Sequence, residues 1–150
     1  MCPLQSSPAD QVPIKIIVKT VIENDGDKQS FELTTFGRYY QKDSSYYLQY
    51  EELLDEGSVK TIVKMTEEDA LILRRGNINM RLPLRLNQRL RGSYETPYGT
   101  LGTTTYTKRL EYSYFQENET GSVEIIYDLT INGSKTGTYH VNIMFKEENK

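Results

Sequence analysis

At 150 residues, 37% hydrophobic and 26% charged, the chain fits one domain, and its 12 tyrosines add large apolar rings to a modest core. A net charge of −3, from 18 basic and 21 acidic groups, argues against a protein built as a whole to grip nucleic acid. The single Cys2 and single His140 exclude an internal disulfide and any zinc site that draws several His or Cys ligands from one chain.

No apolar run is long enough for a membrane-spanning helix, and no calcium-loop spacing appears, so neither a membrane nor a metal or other cofactor is expected. Cys2 has no apolar segment ahead of it and no disulfide partner, which makes the cytoplasm the expected compartment. A Cys–His dyad would need Cys2 and His140, and Cys2 lies in a segment that reads as a frayed tail. No catalytic residue is therefore assigned. An enzyme survives only in forms built from tyrosine, arginine and carboxylates.

Residues 1–12, rich in Pro, Ser and Asp and without periodicity, read as a disordered tail ahead of a domain at 13–147. From Ile14 the chain alternates with a period of two: Ile14, Ile16, Val18, Thr20 and Ile22 share one face of a strand over 14–23. Asn24-Asp25-Gly26-Asp27 supplies a turn, since these residues tolerate positive φ. The same grammar predicts strands over 29–39, 45–53, 58–65, 70–75, 77–86, 88–95, 101–115, 122–131 and 137–146. Asp55-Glu56-Gly57, Gly76-Asn77 and Asn132-Gly133 read as hairpin turns. Thr66-Glu67-Glu68-Asp69 ahead of Ala70-Leu71-Ile72-Leu73 resembles a capping box, so a short helix is a competing reading there.

Short hairpins without long crossovers predict an antiparallel up-and-down meander of about 8–10 strands. With no helices to cover a face, the sheet must close into a barrel or split into a sandwich, and the short connections favour the barrel. Strands 14–23 and 137–146, both apolar on one face, are the expected closing pair.

From Arg74 on, the chain carries a recognisable order of segments. Arg75-Gly76 precedes a basic strand, then YETPYGTLG at 94–102, a Tyr/Thr-rich strand, IIYDLTING at 125–133 and TYHVNIMF at 138–145. This order resembles the YwiB-like family of small proteins from Gram-positive bacteria. The resemblance implies a calycin-type, lipocalin-like β-barrel and a cytoplasmic setting, but no activity. By analogy of fold alone, such barrels often hold a small apolar ligand inside.

The block Ala70–Tyr94 holds six arginines and no acidic residue, leaving 12 of the 18 basic groups against all 21 acidic ones elsewhere. If the extended conformation runs on from Asn79 to Arg91, Arg81, Arg85, Arg89 and Arg91 line one face and Leu82, Leu84, Leu86 and Leu90 the other. With Arg74, these form a candidate anion- or RNA-contacting surface, because the guanidinium fork suits phosphate and carboxylate. The favoured reading of the row is a solvated face paired with neighbouring Glu and Asp, and a third is a polar barrel interior in which each arginine must be paired.

Tyr94, Thr96 and Tyr98 surround a Pro-Tyr-Gly turn, and their hydroxyls are candidate ligand-binding groups at a barrel mouth, joined by Thr103. A tight turn also accounts for Pro97 and Gly99. Tyrosines in 39–50 and 106–114 could fill the lumen, whereas inward-facing Thr103, Thr105 and Thr107 would leave room beside them. Adjacent Glu51 and Glu52 point to opposite faces and cannot act as a paired acid and base. His140 shares the face opposite Tyr139, Val141, Ile143 and Phe145, which reads as a surface position. The leading expectation is a non-catalytic module holding a small apolar or amphipathic ligand inside the barrel.

Overall fold

A computed structural model describes residues 11–55 and 57–148. Among them lie ten strands and no helix: β1 (Val12–Asn24), β2 (Asp27–Lys42), β3 (Ser45–Leu54), β4 (Gly57–Met65), β5 (Asp69–Gly76), β6 (Asn79–Arg85), β7 (Arg89–Thr96), β8 (Gly99–Phe115), β9 (Thr120–Ile131) and β10 (Ser134–Glu147). Each pairs antiparallel with its sequence neighbour, and β10 returns to β1, closing the barrel. The closing pair runs from Ile14↔Glu147 to Glu23↔Thr138, the two strands expected to meet. The expected tail lies outside the described residues except for Gln11 and Val12, and Val12 already opens β1. Glu56 of the expected turn at 55–57 also lies outside them.

The connections follow the turn chemistry. Asp25 and Gly26 have φ of 53° and 87°, Asn132 and Gly133 of 52° and 82°. Two successive positive φ values give the primed turn whose twist matches its flanking strands. The β5–β6 turn sits one residue later than expected, at Asn77–Ile78, with Gly76 still in the strand at φ 132°. The competing helix at 66–73 does not form. Thr66 Oγ1 accepts the Asp69 N–H at 3.2 Å, and the Thr66 N–H donates to Asp69 O at 2.9 Å, which bends the chain sharply. Ala70 and Ile72 then alternate inward, paired to Met65 and Val63 of β4.

Inward positions build the core: Ile14, Ile16, Leu48, Val63, Leu82, Leu84, Val123, Ile125, Ile143 and Phe145 are all 2% exposed or less. Burying a side chain of this size contributes about 1.5–3 kcal/mol against leaving it in water. Outward positions of the same strands carry charge, for example Lys15, Lys19, Glu124 and Lys146. The lower end, where β2 turns into β3 and β8 into β9, is stoppered by aromatic rings. Tyr39 stacks on Tyr46 and Tyr114 and packs against Phe145, with centroids 5.1–6.5 Å apart. Its hydroxyl meets that of Tyr112 at 2.6 Å.

Candidate functional site: a half-open barrel interior

The barrel is packed unevenly. On the β6–β8 side, Thr103, Thr105 and Thr107 face inward and are 2% exposed or less. Thr105 Oγ1 donates to Pro83 O at 3.0 Å, drawing β6 and β8 together where the β6–β7 ladder has stopped at Arg81↔Ser93. Pro83, which has no N–H to give, sits where that ladder is missing. On the opposite side the ladder between β2 and β3 reaches only from Lys42↔Ser45 to Gly37↔Tyr50. The first half of β2 stays on β1 and splays away from β3. Gly37 marks the parting point, since a Cβ there would lie 2.1 Å from Gln49 O.

The splay leaves a cavity of about 490 Å³ between β1–β2, β3–β5 and β9–β10. This lies within the range of about 300–1,000 Å³ common for small-molecule sites. Val18, Val63, Ile72, Ile125 and Ile143 form its apolar wall, and Phe31, 56% exposed, stands at its rim. One polar cluster enters that wall. Tyr50, Thr61 and Arg74 form one rung across β3, β4 and β5, through the pairs Tyr50↔Thr61 and Thr61↔Arg74. Glu52, two residues beyond Tyr50 on the same face, reaches this rung. Arg74 Nη2 donates to Glu52 Oε1 at 2.8 Å, and Thr61 Oγ1 donates to Glu52 Oε2 at 3.2 Å. Arg74 Nε is buried and has no partner among the described residues. Burial pushes the Tyr50 and Tyr127 hydroxyls well above the usual tyrosine range, with Arg74 close enough to oppose the shift in both. Tyr127 stacks on Tyr139, its register partner on β10, at 5.3 Å in the cavity lining.

None of the expected mouth residues lines this cavity. Tyr98 is 98% exposed at its turn. Thr96 Oγ1 serves the turn, donating to Gly99 O at 2.8 Å and accepting the Tyr98 N–H at 3.1 Å. Tyr94 is half-buried in β7 opposite Met80 and Leu101. Thr103 faces inward but lies in the packed half, its Oγ1 buried without a partner among the described residues. Inward Thr103, Thr105 and Thr107 therefore do not open the lumen; the neighbouring strands close over them.

The arginine row is broken as well. Extension stops at Arg85, Leu86 is 37% exposed, and Asn87 turns with φ 62°. Arg81 and Arg91 are exposed on neighbouring antiparallel strands. Arg85 pairs with Asp69 at 3.3 Å and Glu68 at 3.5 Å, and Arg89 lies over the Tyr106 ring at 5.9 Å. Arg74 leaves the row altogether and points inside. Sequence reasoning thus missed Arg74 and Glu52 as interior groups. The signal was present, since Arg74 is in phase with Ala70 and Ile72, and Glu52 with Leu48 and Tyr50.

His140 lies outside, as its phase implies, and its Nε2 is 2.7 Å from Glu124 Oε2. Glu124 also accepts from Arg109 Nε at 2.9 Å. These two hydrogen bonds, from His140 first and Arg109 second, hold the Glu124 carboxyl below the usual range. No group of three or more His, Cys, Asp or Glu positioned to hold a metal occurs among the described residues.

The chain is 32% identical over 136 residues to the uncharacterized β-barrel protein YwiB of Bacillus subtilis (strain 168), covering 91% of this chain and 94% of that protein. It superimposes on the crystal structure of the B. subtilis ywiB protein with a TM-score of 0.83, over 93% of this chain and 94% of that one. The family described as a domain of unknown function (DUF1934) matches residues 16–143, from β1 into β10. With most of the barrel inside that match, the chain belongs to the DUF1934 family of β-barrel proteins.

Proposed function

We propose that the protein is a non-catalytic binding module that holds a small amphipathic ligand in the cavity between β1–β2, β3–β5 and β9–β10. The observation that carries this reading is the combination of an apolar wall and one convergent polar cluster, Tyr50, Thr61, Glu52 and Arg74, in a cavity of about 490 Å³. Apolar walls supply affinity by removing ligand surface from water, and a few placed polar groups fix orientation. Catalysis finds less support. Of the two carboxylates lining the cavity, Glu52 is committed to Arg74 and Thr61 and Glu32 stands exposed on β2, while His140 lies on the outer face. Polyanion contact through the outer arginines is also less supported, because Arg85 is already paired with acidic groups and the row does not run continuously.

The test is binding of the uncharged reporter dye Nile red to the native protein, with displacement by a twelve-carbon amphiphile. A ligand that binds only the folded form stabilises it by about 2.7 kcal/mol at a hundred times its Kd, so the displacing amphiphile should raise Tm. Thr20→Trp, a bulky replacement at a half-buried lining position, should block the dye while the barrel remains folded. A native protein that leaves Nile red dark overturns the reading.

A further inference from the structure

We infer that the ligand carries a carboxylate, received by the free edge of Arg74. The inference rests on the reading of the cavity as a ligand site and adds the chemistry of the head group. Arginine presents five N–H donors in a rigid fork. Among the described residues only one hydrogen bond is made, from Nη2 to Glu52 Oε1 at 2.8 Å; Nε is sealed off without a partner, and the remaining Nη hydrogens belong to a side chain that lines the cavity and is 25% exposed. Unpaired donors on a largely desolvated charged group are costly, so the Nη edge on the cavity side calls for an acceptor.

Glu52 does not supply it: its oxygens accept from Arg74 Nη2 and Thr61 Oγ1 and bond no other donor of the guanidinium. Instead it acts as a positioning residue, holding the guanidinium against the cavity wall from one side. The Arg74–Glu52 pair is largely withdrawn from water, with side chains 25% and 19% exposed, which strengthens any hydrogen bond made there. A carboxylate offers two acceptors at the spacing of the fork, which a hydroxyl or an ester carbonyl cannot match. Its hydrocarbon part would then lie along Val63, Ile72, Ile125 and Ile143.

The experiment is a displacement series against Nile red on the unaltered protein at neutral pH, with dodecanoate, dodecanol, methyl dodecanoate and dodecylamine, which share one chain length. Dodecanoate should displace the dye about tenfold or more below the concentration needed for dodecanol or the ester, as expected for a charge-assisted pair of hydrogen bonds. Arg74→Lys, which keeps the charge and loses the fork, should erase most of that preference while leaving dodecanol unchanged. Equal displacement by dodecanoate and dodecanol, or tightest displacement by dodecylamine, overturns the head-group inference and leaves the cavity reading standing. Failure of Nile red to bind at all overturns the cavity reading, and the head-group inference with it.

Discussion

Arg74 and Arg85, on the neighbouring strands β5 and β6, put the same residue type into two environments that composition alone does not separate. Arg74 and Glu52 are paired inside the wall, 25% and 19% exposed, whereas Arg85 pairs with Glu68 and Asp69 on the outside at 42% exposure. Removing one partner of a mostly desolvated pair strands the other charge, so Arg74→Ala should cost about 1–3 kcal/mol. Arg85→Ala should cost under about 1 kcal/mol, because water and salt already screen its pairs. Urea midpoints of the two variants check this ordering. Equal losses would mean that Arg74 is solvated and the cavity wall is not where it stands. The interior position of Arg74 was legible from phase alone. What obscured it was the density of arginine from Arg74 to Arg91, which invited a single surface row.

Elements were read more completely than sites. The alternation of apolar residues marked all ten strands, because one face of each is buried and the period of two cannot be disguised. The competing helix at 66–73 failed because a capping pattern is local, while Ala70 and Ile72 are held by ladders on both sides. The break at Leu86–Gln88 falls where the strands expected over 77–86 and 88–95 part, yet the Arg/Leu alternation resumes beyond it and invited one continuous row. The parting of β2 from β3 depends on contacts between segments far apart in sequence, and only Gly37 hints at it. Gly37→Ala tests that hinge. Its Cβ would lie 2.1 Å from Gln49 O, so β2 must shift, at a cost of about 1–3 kcal/mol. Gly102→Ala, with nothing within 4 Å of the added atom, should leave Tm nearly unchanged. Equal Tm for both variants would show that the two strands do not approach so closely at Gly37.

For the molecule as a whole, closure explains both the stoppered lower end and the open flank. The long β1–β10 and β8–β9 ladders make a continuous wall, and the short β2–β3 and β6–β7 ladders leave two weak seams, of which the packed threonine side closes one. The buried tyrosines make this wall sensitive to alkali. Burial raises Tyr50, Tyr127 and Tyr39, and burial followed by the Tyr39 hydroxyl raises Tyr112. Tyr114, bonded to Glu147, is pushed up to about 12. A raised folded pKa means that above about pH 10 the unfolded chain has released protons the folded barrel still holds. Stability is therefore fully present below that pH and falls as pH rises through the folded values. Tyrosinate absorbance should gain a late step that coincides with loss of the β signal in circular dichroism. Complete ionisation in a folded barrel would refute the burial of these rings.

The central claim is that the open flank of the interior, and not the outer surface or the packed flank, receives a ligand. Amide chemical-shift mapping of the native protein titrated with dodecanoate tests it most directly. The account predicts saturable shifts at Val18–Ile22, Phe31–Leu33, Tyr50–Leu54, Ile72–Arg74 and Tyr139–Ile143, with Leu82–Leu84 and Thr103–Thr107 left nearly still. Shifts confined to the outer arginines Arg81, Arg85, Arg89 and Arg91, or spread evenly over the barrel, would contradict it.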